Sequence, residues 1–311
     1  CHGDLHLGNL VRLPSGITTF DCIEFNPDLR TTDVFADVGF LVMDLTEKGH
    51  PELAAHFLNR YLERSGDYEG AVLLDLYFVY RCLVRAKVAA IRSRERDDED
   101  ERAADIADAR DYSAMARRRA TNGEPVLVIM HGLSGSGKTW LSERLMAALP
   151  AVRVRSDIER KRLFGLDEDA DSESGIGSGI YSPSASTETY ERLFTLADSL
   201  LAAGHHVILD AAFLKKKQRV FARSVASSLD VDSVLVYAEA PVDVLRSRIE
   251  RRAKRRDEAS EANLAVLEHQ LDSFTPAGSD ERAIRVDTCN EIDVAHLVSS
   301  ILAGHQERDT L

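Results

Sequence analysis

One stretch of the sequence has the residue types and spacing of a phosphate-binding loop. Residues 132–139 read Gly-Leu-Ser-Gly-Ser-Gly-Lys-Thr and follow an apolar run, Val126–Met130, that is typical of a buried strand. Glycines let the backbone turn so that successive N–H groups meet phosphate oxygens, and the following helix adds its positive end. Lys138 is expected to reach the outer phosphates of ATP, and the Thr139 hydroxyl to ligate Mg²⁺. The predicted nucleotide-binding residues are Gly132, Ser134, Gly135, Ser136, Gly137, Lys138 and Thr139.

An acid for the same metal is expected at the end of another apolar strand. Val207-Ile-Leu-Asp210 supplies one, and Asp210 is predicted to orient Mg²⁺ or its waters. Taken alone, an acid after a strand is more often a helix cap or a turn residue. The interpretation of Asp210 therefore depends on the phosphate loop.

Asp157 and Arg160 follow a third short strand, Val152–Arg155, near the sheet edge at which ligands bind. Asp157 could accept the proton of a hydroxyl during phosphoryl transfer, and Arg160 could hold an anionic substrate one helical turn later. The alternative is an Asp157 that caps a helix with a solvated basic face. The residue types alone leave the two interpretations level.

Basic residues are concentrated between Leu245 and Arg256. Arg248 and Arg252 lie four residues apart, so they share one face of a helix. Arginines that close over phosphates stabilise the charge that spreads over their oxygens during transfer, which predicts a lid. The alternative is a surface helix whose cations pair with the acids at 257–261.

The opening residues form a second candidate site. Asp4 and Asn9, followed by Asp21 after a hairpin, have the spacing of a kinase catalytic loop and its metal-binding aspartate. Asp4 would orient or deprotonate a hydroxyl, while Asn9 and Asp21 would hold Mg²⁺. The alternative is a polar turn with structural acids. Three matched positions around a hairpin make coincidence the weaker account.

The elements that must position these residues fall into two groups. The hairpin Leu10–Leu13 and Ile17–Phe20 precedes a strandless region of helical periodicity that extends to about Arg119. Turn-forming residues at 121–125 mark a boundary. Beyond them, strands alternate with helices, which predicts a parallel sheet covered on both faces. The predicted strands are Val126–His131, Val152–Arg155, Val207–Asp210, Ser233–Ala238 and Ala283–Asp287.

The predicted fold class is therefore α/β, with a mostly helical part at 1–120 and a parallel-sheet P-loop domain at 121–311. Residues 171–186 are rich in Ser and Gly and lack periodicity, which predicts a loop too long for a simple connection. Together with the helix after Asp157, this loop is expected to form the acceptor pocket.

The second part resembles the P-loop small-molecule and polynucleotide kinases, which include gluconate-kinase-like and zeta-toxin-like proteins. The resemblance rests on the phosphate loop, on Arg155-Ser-Asp157, on Leu209-Asp210-Ala-Ala, and on Arg248 with Arg252. It implies that Asp157 is the base for the accepting hydroxyl and that the two arginines belong to a lid. Relatives often have Asp-Ala-Thr where this chain has Asp210-Ala-Ala, so a hydroxyl near the phosphates is missing.

The first part resembles the C-terminal lobe of aminoglycoside phosphotransferases, without the nucleotide-clamping N-terminal lobe. The chain opens at Cys1, inside the catalytic-loop pattern, so we expect the first part to bind ATP poorly by itself. The whole arrangement is similar to the family named bifunctional aminoglycoside phosphotransferase/ATP-binding protein. That resemblance identifies no acceptor.

Composition narrows the remaining possibilities. A formal net charge of −13 argues against loose binding of nucleic acid, although a local basic channel would suffice for an oligonucleotide. The four cysteines are scattered, which fits neither a zinc cluster nor a disulfide framework. No apolar run is long enough to span a bilayer, and no signal-peptide pattern opens the chain. We therefore expect a cytoplasmic protein with no membrane partner.

Three functions remain open. The first is ATP-dependent phosphorylation of a hydroxyl on a small molecule, with Asp157 as base and Lys138, Arg248 and Arg252 as charge stabilisers. The second is a nucleotide-dependent switch, in which ATP binding or slow hydrolysis controls the helical part or a partner. The third is a polynucleotide 5'-hydroxyl kinase that uses the same residues. Neither the acceptor nor the oligomeric state follows from the sequence.

Overall fold

The computed structural model of the protein describes residues 1–121, 123–172, 174–175, 177–252 and 262–303. Its residues group into two compact units. The first comprises Cys1–Leu58 and Asp67–Gly123, and the second comprises Asn59–Gly66 and Glu124–Leu311. No sequence pattern indicated that Asn59–Gly66 groups with the second unit, because that grouping depends on contacts between residues far apart along the chain.

The first unit is a hairpin followed by helices. Leu10 pairs with Thr19 across the antiparallel hairpin, whose second strand begins one residue before the predicted Ile17. Asp33 caps the helix that begins at Val34, because its carboxylate accepts a 2.7 Å hydrogen bond from the Phe35 N–H. The elements are β1 (Leu10–Leu13), β2 (Gly16–Thr19), α1 (Pro27–Arg30), α2 (Val34–Glu47), α3 (Pro51–Ser65), α4 (Leu74–Glu95) and α5 (Glu99–Ala120), and α3 continues into the second unit from Asn59.

The second unit is built on a five-stranded parallel sheet with helices. Its strands are β3 (Val126–His131), β4 (Val152–Arg155), β5 (Val207–Asp210), β6 (Asp232–Glu239) and β7 (Ala283–Asp287). They lie in the order β4-β5-β3-β6-β7, and every pair is parallel. The helices are α6 (Lys138–Ala148), α7 (Ser156–Leu163), α8 (Pro183–Ala202), α9 (Lys216–Ser228), α10 (Val242–Arg252), α11 (Leu264–Ser273) and α12 (Val294–Ala303).

The central strand β3 explains why this sheet forms where it does. All six of its residues are buried, as expected for a strand with helices on both faces of the sheet. Val126, Val128 and Met130 pack into one core cluster with residues of α6 and α12, including Leu141 and Leu297. The predicted fold class, a helical part followed by a parallel-sheet P-loop domain, is confirmed.

The predicted loop before α8 differs from the structure. The predicted loop at 171–186 is too long by four residues, because α8 begins at Pro183 after a short 3-10 turn at Gly179–Tyr181. Ser182 caps α8 by accepting from the Ala185 N–H, and Pro183 fits the first helical position. Residues 173 and 176 of that loop lie outside the described residues. So do 253–256 of the basic segment and the acids at 257–261.

In the part of the chain that the structure describes, no helix combines the length and the apolar character that crossing a membrane requires.

Candidate functional site

The phosphate loop joins the end of β3 to the start of α6. Gly132, Gly135 and Gly137 have φ angles of 143°, 81° and 87°, which residues with side chains rarely adopt. A Cβ on Gly135 would lie 2.8 Å from the Leu245 carbonyl oxygen of α10. Gly137 precedes α6 with no side-chain cap, so the first N–H groups of this helix stay available to an anion. The backbone therefore forms a cradle that fits phosphate.

Lys138 lies at the start of α6, beside two carboxylates. Its Nζ donates a 2.8 Å hydrogen bond to the Leu133 carbonyl oxygen at the beginning of the loop. Desolvation lowers the pKa of Lys138 to about 8, against the opposing charges of Asp210 and Asp157 and with the help of Arg252. The structure thus brings together four predicted site residues that are 19 to 114 positions from one another in sequence.

Asp210 ends β5 and is 5% exposed. Its Oδ2 accepts a 2.9 Å hydrogen bond from the Ser142 hydroxyl and lies 4.0 Å from Nε of Arg155. Thr139, the second residue of α6, lines the same cavity as Asp210. A hydroxyl and a carboxylate are hard oxygen donors of the kind that Mg²⁺ takes beside phosphate oxygens. The residues present fit a magnesium–nucleotide complex.

Asp157 is the second residue of α7 and lines this cavity. The N-cap position of α7 belongs to Arg155, which makes no side-chain capping bond. The alternative interpretation of Asp157 as the N-cap is therefore wrong. Its carboxylate is placed where it could meet a bound molecule.

Arg160 is held against the chain, and it is only 7% exposed. Its guanidinium donates a 2.8 Å hydrogen bond to the Ile180 carbonyl oxygen and lies 5.2 Å from the centre of the Tyr181 ring. Its Nε is buried and has no hydrogen-bond partner among the described residues. These contacts attach α7 to the segment before α8, a function that the sequence did not indicate.

Arg248 and Arg252 project from α10 toward the phosphate loop and line the cavity. Arg248 donates to the Gly135 carbonyl oxygen at 3.3 Å, and to the hydroxyl and carbonyl oxygens of Thr288, each at 2.8 Å. The Thr288 hydroxyl also lies 2.8 Å from the Ser136 carbonyl oxygen. Arg252 donates to the Ala262 carbonyl oxygen at 2.6 Å. Arg248 thus links α10 to the phosphate loop and to Thr288, the residue after β7.

These residues share one large cavity. Its volume is about 1740 Å³, above the roughly 300–1,000 Å³ of a typical ligand pocket, so it has room for a nucleotide and a second molecule. Among the described residues, eight Lys and Arg side chains line it, against four acidic ones, Glu143, Asp157, Glu191 and Asp210. A chain of net charge −13 therefore has a locally basic cavity, which suits anionic ligands.

Sequence analysis missed four residues of this site. Ser142, Arg153, Gln270 and Thr288 contact predicted residues of the site or lie beside them, and Gln270 accepts a 2.8 Å hydrogen bond from the Ser134 N–H. Only Ser142 carries a local signal, because it lies one helical turn after Thr139. Gln270 and Thr288 belong to distant segments, and Arg153, four residues before Asp157, carries no pattern that links it to Ser142.

In the first unit, the predicted residues Asp4 and Asn9 contact each other. The Asn9 side chain donates to the Asp4 carbonyl oxygen at 2.9 Å and lies 3.4 Å from its Oδ2. Asp21 follows β2, is exposed and has a positive φ of 58°. The backbone beside it is tied in, since the Phe20 N–H donates to the Asn9 carbonyl oxygen at 3.1 Å.

Comparisons with known proteins found matches to a family model and to two uncharacterized proteins. The model of a family described as an AAA domain matches residues 127–277. The uncharacterized proteins Rv2004c of Mycobacterium tuberculosis and Mb2027c of Mycobacterium bovis are each 31% identical over 292 residues, which cover 91% of this chain. The chain spans only 57% of the length of these relatives.

Solved structures of low identity align with part of the chain. A gluconokinase from Sinorhizobium meliloti is 18% identical, with a TM-score of 0.40, over 60% of this chain and 97% of its own. The APS kinase CysC of Mycobacterium tuberculosis is 20% identical, with a TM-score of 0.43, over 58% of this chain and 98% of its own. The residues that the family model matches, 127–277, include the phosphate loop, strands β4, β5 and β6, and all but the first residue of β3.

Proposed function

We propose that the second unit transfers a phosphoryl group from ATP, with Mg²⁺, to a hydroxyl of a small molecule. The observation that carries this proposal is the meeting of Lys138, Asp210 and Asp157 beside one cavity at the end of the phosphate loop. A protein that only binds a nucleotide needs the phosphate loop but no carboxylate for an acceptor hydroxyl. A carboxylate beside the loop that neither caps its helix nor lies in the core supports transfer to an acceptor.

Each side chain has a distinct proposed task. The loop N–H groups and Lys138 bind phosphate oxygens, and Thr139 and Asp210 hold Mg²⁺, which supplies charge neutralisation and alignment when bound. Asp157 takes the proton of the accepting hydroxyl. Arg248 and Arg252 stabilise negative charge on the transferring group, and Arg160 keeps the acceptor side of the cavity in shape.

The test is ADP release by the full chain with ATP and Mg²⁺, alone and with sugars, sugar acids, nucleosides, aminoglycosides or 5'-hydroxyl oligonucleotides. We expect one class to stimulate release, and Lys138→Ala and Asp157→Asn to abolish the stimulation. Asp198→Asn, an exposed carboxylate-to-amide change on α8, is the matched control and should leave stimulation unchanged. Equal loss in the control would contradict the role of Asp157. Stimulation by oligonucleotides alone would favour the polynucleotide kinase.

A nucleotide-dependent switch is the second candidate, and one observation favours it. Arg248 and Gln270 both bond the phosphate-loop backbone directly, so a phosphate that competes for these groups would shift α10 and α11. A switch predicts slow turnover that no acceptor stimulates and that Asp157→Asn leaves intact. It also predicts a nucleotide-dependent change in protease protection of α11.

For the first unit, we propose that Asp4 acts as a base and that Asn9 and Asp21 hold Mg²⁺, as the resemblance to aminoglycoside phosphotransferases implies. The Asn9–Asp4 contact supports this arrangement. This unit's own turnover is proposed to need a nucleotide-clamping lobe. We expect Asp4→Asn to leave unchanged the ADP release that depends on Lys138.

A further inference from the structure

A buried polar chain ends on the carboxylate of Asp210. It comprises Glu63, Arg153, Ser142 and Asp210, which are 4%, 6%, 0% and 5% exposed. Arg153 donates to Glu63 Oε1 through Nη2 at 2.7 Å and through Nε at 3.2 Å. Its Nη1 lies 3.4 Å from the Ser142 hydroxyl, which lies 2.9 Å from Asp210 Oδ2. All four residues belong to the second unit.

The direction of the hydrogen bonds follows from the charges. A guanidinium only donates, so the Ser142 oxygen accepts from Arg153 and must direct its one hydrogen elsewhere. The Thr139 carbonyl oxygen, at 3.0 Å, and Asp210 Oδ2 compete for it, and the ionised acceptor forms the stronger bond. Ser142 thus holds Oδ2, which leaves Oδ1 of Asp210 for a ligand.

This buried polar chain is anchored by residues outside 127–277, the residues that the family model matches. Asn59, one turn before Glu63 on α3, bonds the edge strand β4: its amide donates to the Ala151 carbonyl oxygen at 2.9 Å and accepts from the Arg153 N–H at 2.7 Å. Strand edges present unpaired backbone groups, and Asn59 satisfies two of them. Segment Asn59–Gly66 therefore fixes both the backbone and the side chain of Arg153.

We infer that Ser142, Arg153 and Glu63 are positioning residues that orient Asp210 toward the metal of the bound nucleotide. This inference rests on the proposed function, since that function places Mg²⁺ at Asp210. Groups that orient a metal ligand typically change metal affinity by about 10–100-fold when removed. A structural role alone would change stability and leave metal affinity untouched.

The first test compares Ser142→Thr with Ser142→Val in the full chain. The two side chains have nearly the same shape, and only threonine keeps the hydroxyl. Mn²⁺ replaces Mg²⁺ as the probe, with a non-hydrolysable ATP analogue, and electron paramagnetic resonance measures free Mn²⁺. We expect a Mn²⁺ dissociation constant about 10-fold higher for Val than for Thr. Equal constants for the two variants overturn the inference.

A second pair tests the anchor. Glu63→Gln weakens the hold on Arg153, whereas Glu168→Gln alters another buried carboxylate that also contacts Asn59–Gly66, through Arg60 and Arg64. We expect weaker Mn²⁺ binding for Glu63→Gln alone, and equal weakening in both overturns the inference. These binding measurements separate the two proposals. If an acceptor stimulates ADP release but Ser142→Thr and Ser142→Val have equal Mn²⁺ dissociation constants, only the positioning role is rejected. If Ser142→Val binds Mn²⁺ more weakly than Ser142→Thr but no acceptor stimulates ADP release, only the proposed phosphoryl transfer is rejected.

Discussion

The phosphate loop of the second unit and the opening loop of the first unit are held in place by different means. The phosphate loop lies between a fully buried strand and a helix start, and its side chains meet Asp210 from a neighbouring strand. The opening loop is held by helix α2, because Asp37 accepts from the N–H groups of His2 and Gly3 at 2.7 and 3.0 Å. A sheet positions one candidate site, and a buried carboxylate positions the other.

The two loops also differ in what supports their metal-binding candidates. Asp210 ends a strand whose residues are all buried. Asn9 and Asp21 flank a hairpin in which every residue except Leu10 is exposed, and Ile17 is 75% exposed. An acid at the end of a packed sheet has a fixed position, whereas the hairpin has little packing to fix Asp21. The comparison shows that packing fixes Asp210 more firmly than it fixes Asp21.

The largest expected effect is on ATP turnover, and it tests directly whether the second unit or the first unit turns over nucleotide. Lys138→Ala should lower ATP turnover by roughly 10²–10³-fold, because it removes a charge aimed at the phosphates, while Asp4→Asn should change it by less than about twofold. ADP release by both variants under identical conditions is the measurement. Comparable losses would mean that the first unit also turns over nucleotide.

The stability of the second unit should depend on one carboxylate, which belongs to a buried ion pair. Glu281 binds the fully buried Arg219 through two hydrogen bonds, which lowers the pKa of Glu281 to about 2 from its ordinary 4.5. Glu281→Gln should cost about 3 kcal/mol of unfolding free energy, because it leaves a buried charge without its partner. Trp140, the single tryptophan, lies in α6 and reports the denaturant transition of this unit.

The pH dependence of that stability has a definite sign. The folded pKa of Glu281 is depressed, so its contribution is present above pH 4.5 and is lost as the pH falls toward 2. Asp280→Asn, in an exposed pair with Lys216, is the control and should change little. A Glu281→Gln protein that loses as much stability as wild type between pH 4.5 and 3 would contradict this account.

A smaller effect is expected from the carboxylate that holds the opening loop. Asp37→Asn should destabilise the first unit by about 2 kcal/mol, because charged acceptors form the stronger hydrogen bonds. Faster hydrogen exchange at His2 and Gly3, with an unchanged Trp140 transition, is the expected result. Protection that stays at the wild-type level would show that Arg81, which donates to the Gly3 carbonyl oxygen, suffices.

The smallest effect concerns the charge of Lys138. Because desolvation lowers its pKa to about 8 in the free protein, and bound phosphate favours the protonated form, nucleotide affinity should fall as the pH rises above 8. The slope should reach at most about tenfold per pH unit, the limit for one coupled proton. Trp140 fluorescence titrations from pH 7 to 9.5 measure it. Lys138→Arg keeps its charge over this range, so its weaker affinity should not vary with pH.

Local patterns determined much of this protein. The phosphate loop and four of the five sheet strands lie at their predicted bounds, since alternation, apolar runs and glycine turns are encoded within about ten residues. The start of α8 at Pro183 was missed, although the Ser182-Pro183 cap was present in the sequence. In that case the signal was local, and the Ser- and Gly-rich composition concealed it.

Other features were decided only by tertiary structure. Ser142 meets Asp210 across 68 residues, and Arg153 meets Glu63 across 90. Arg160 lines the cavity, so its predicted role as a substrate ligand stays a prediction, and only the structure shows that it also donates to the Ile180 carbonyl oxygen. Sequence determines which elements form because their periods are short. Which polar groups become partners depends on burial, since a group removed from water must find a hydrogen bond wherever the fold supplies one.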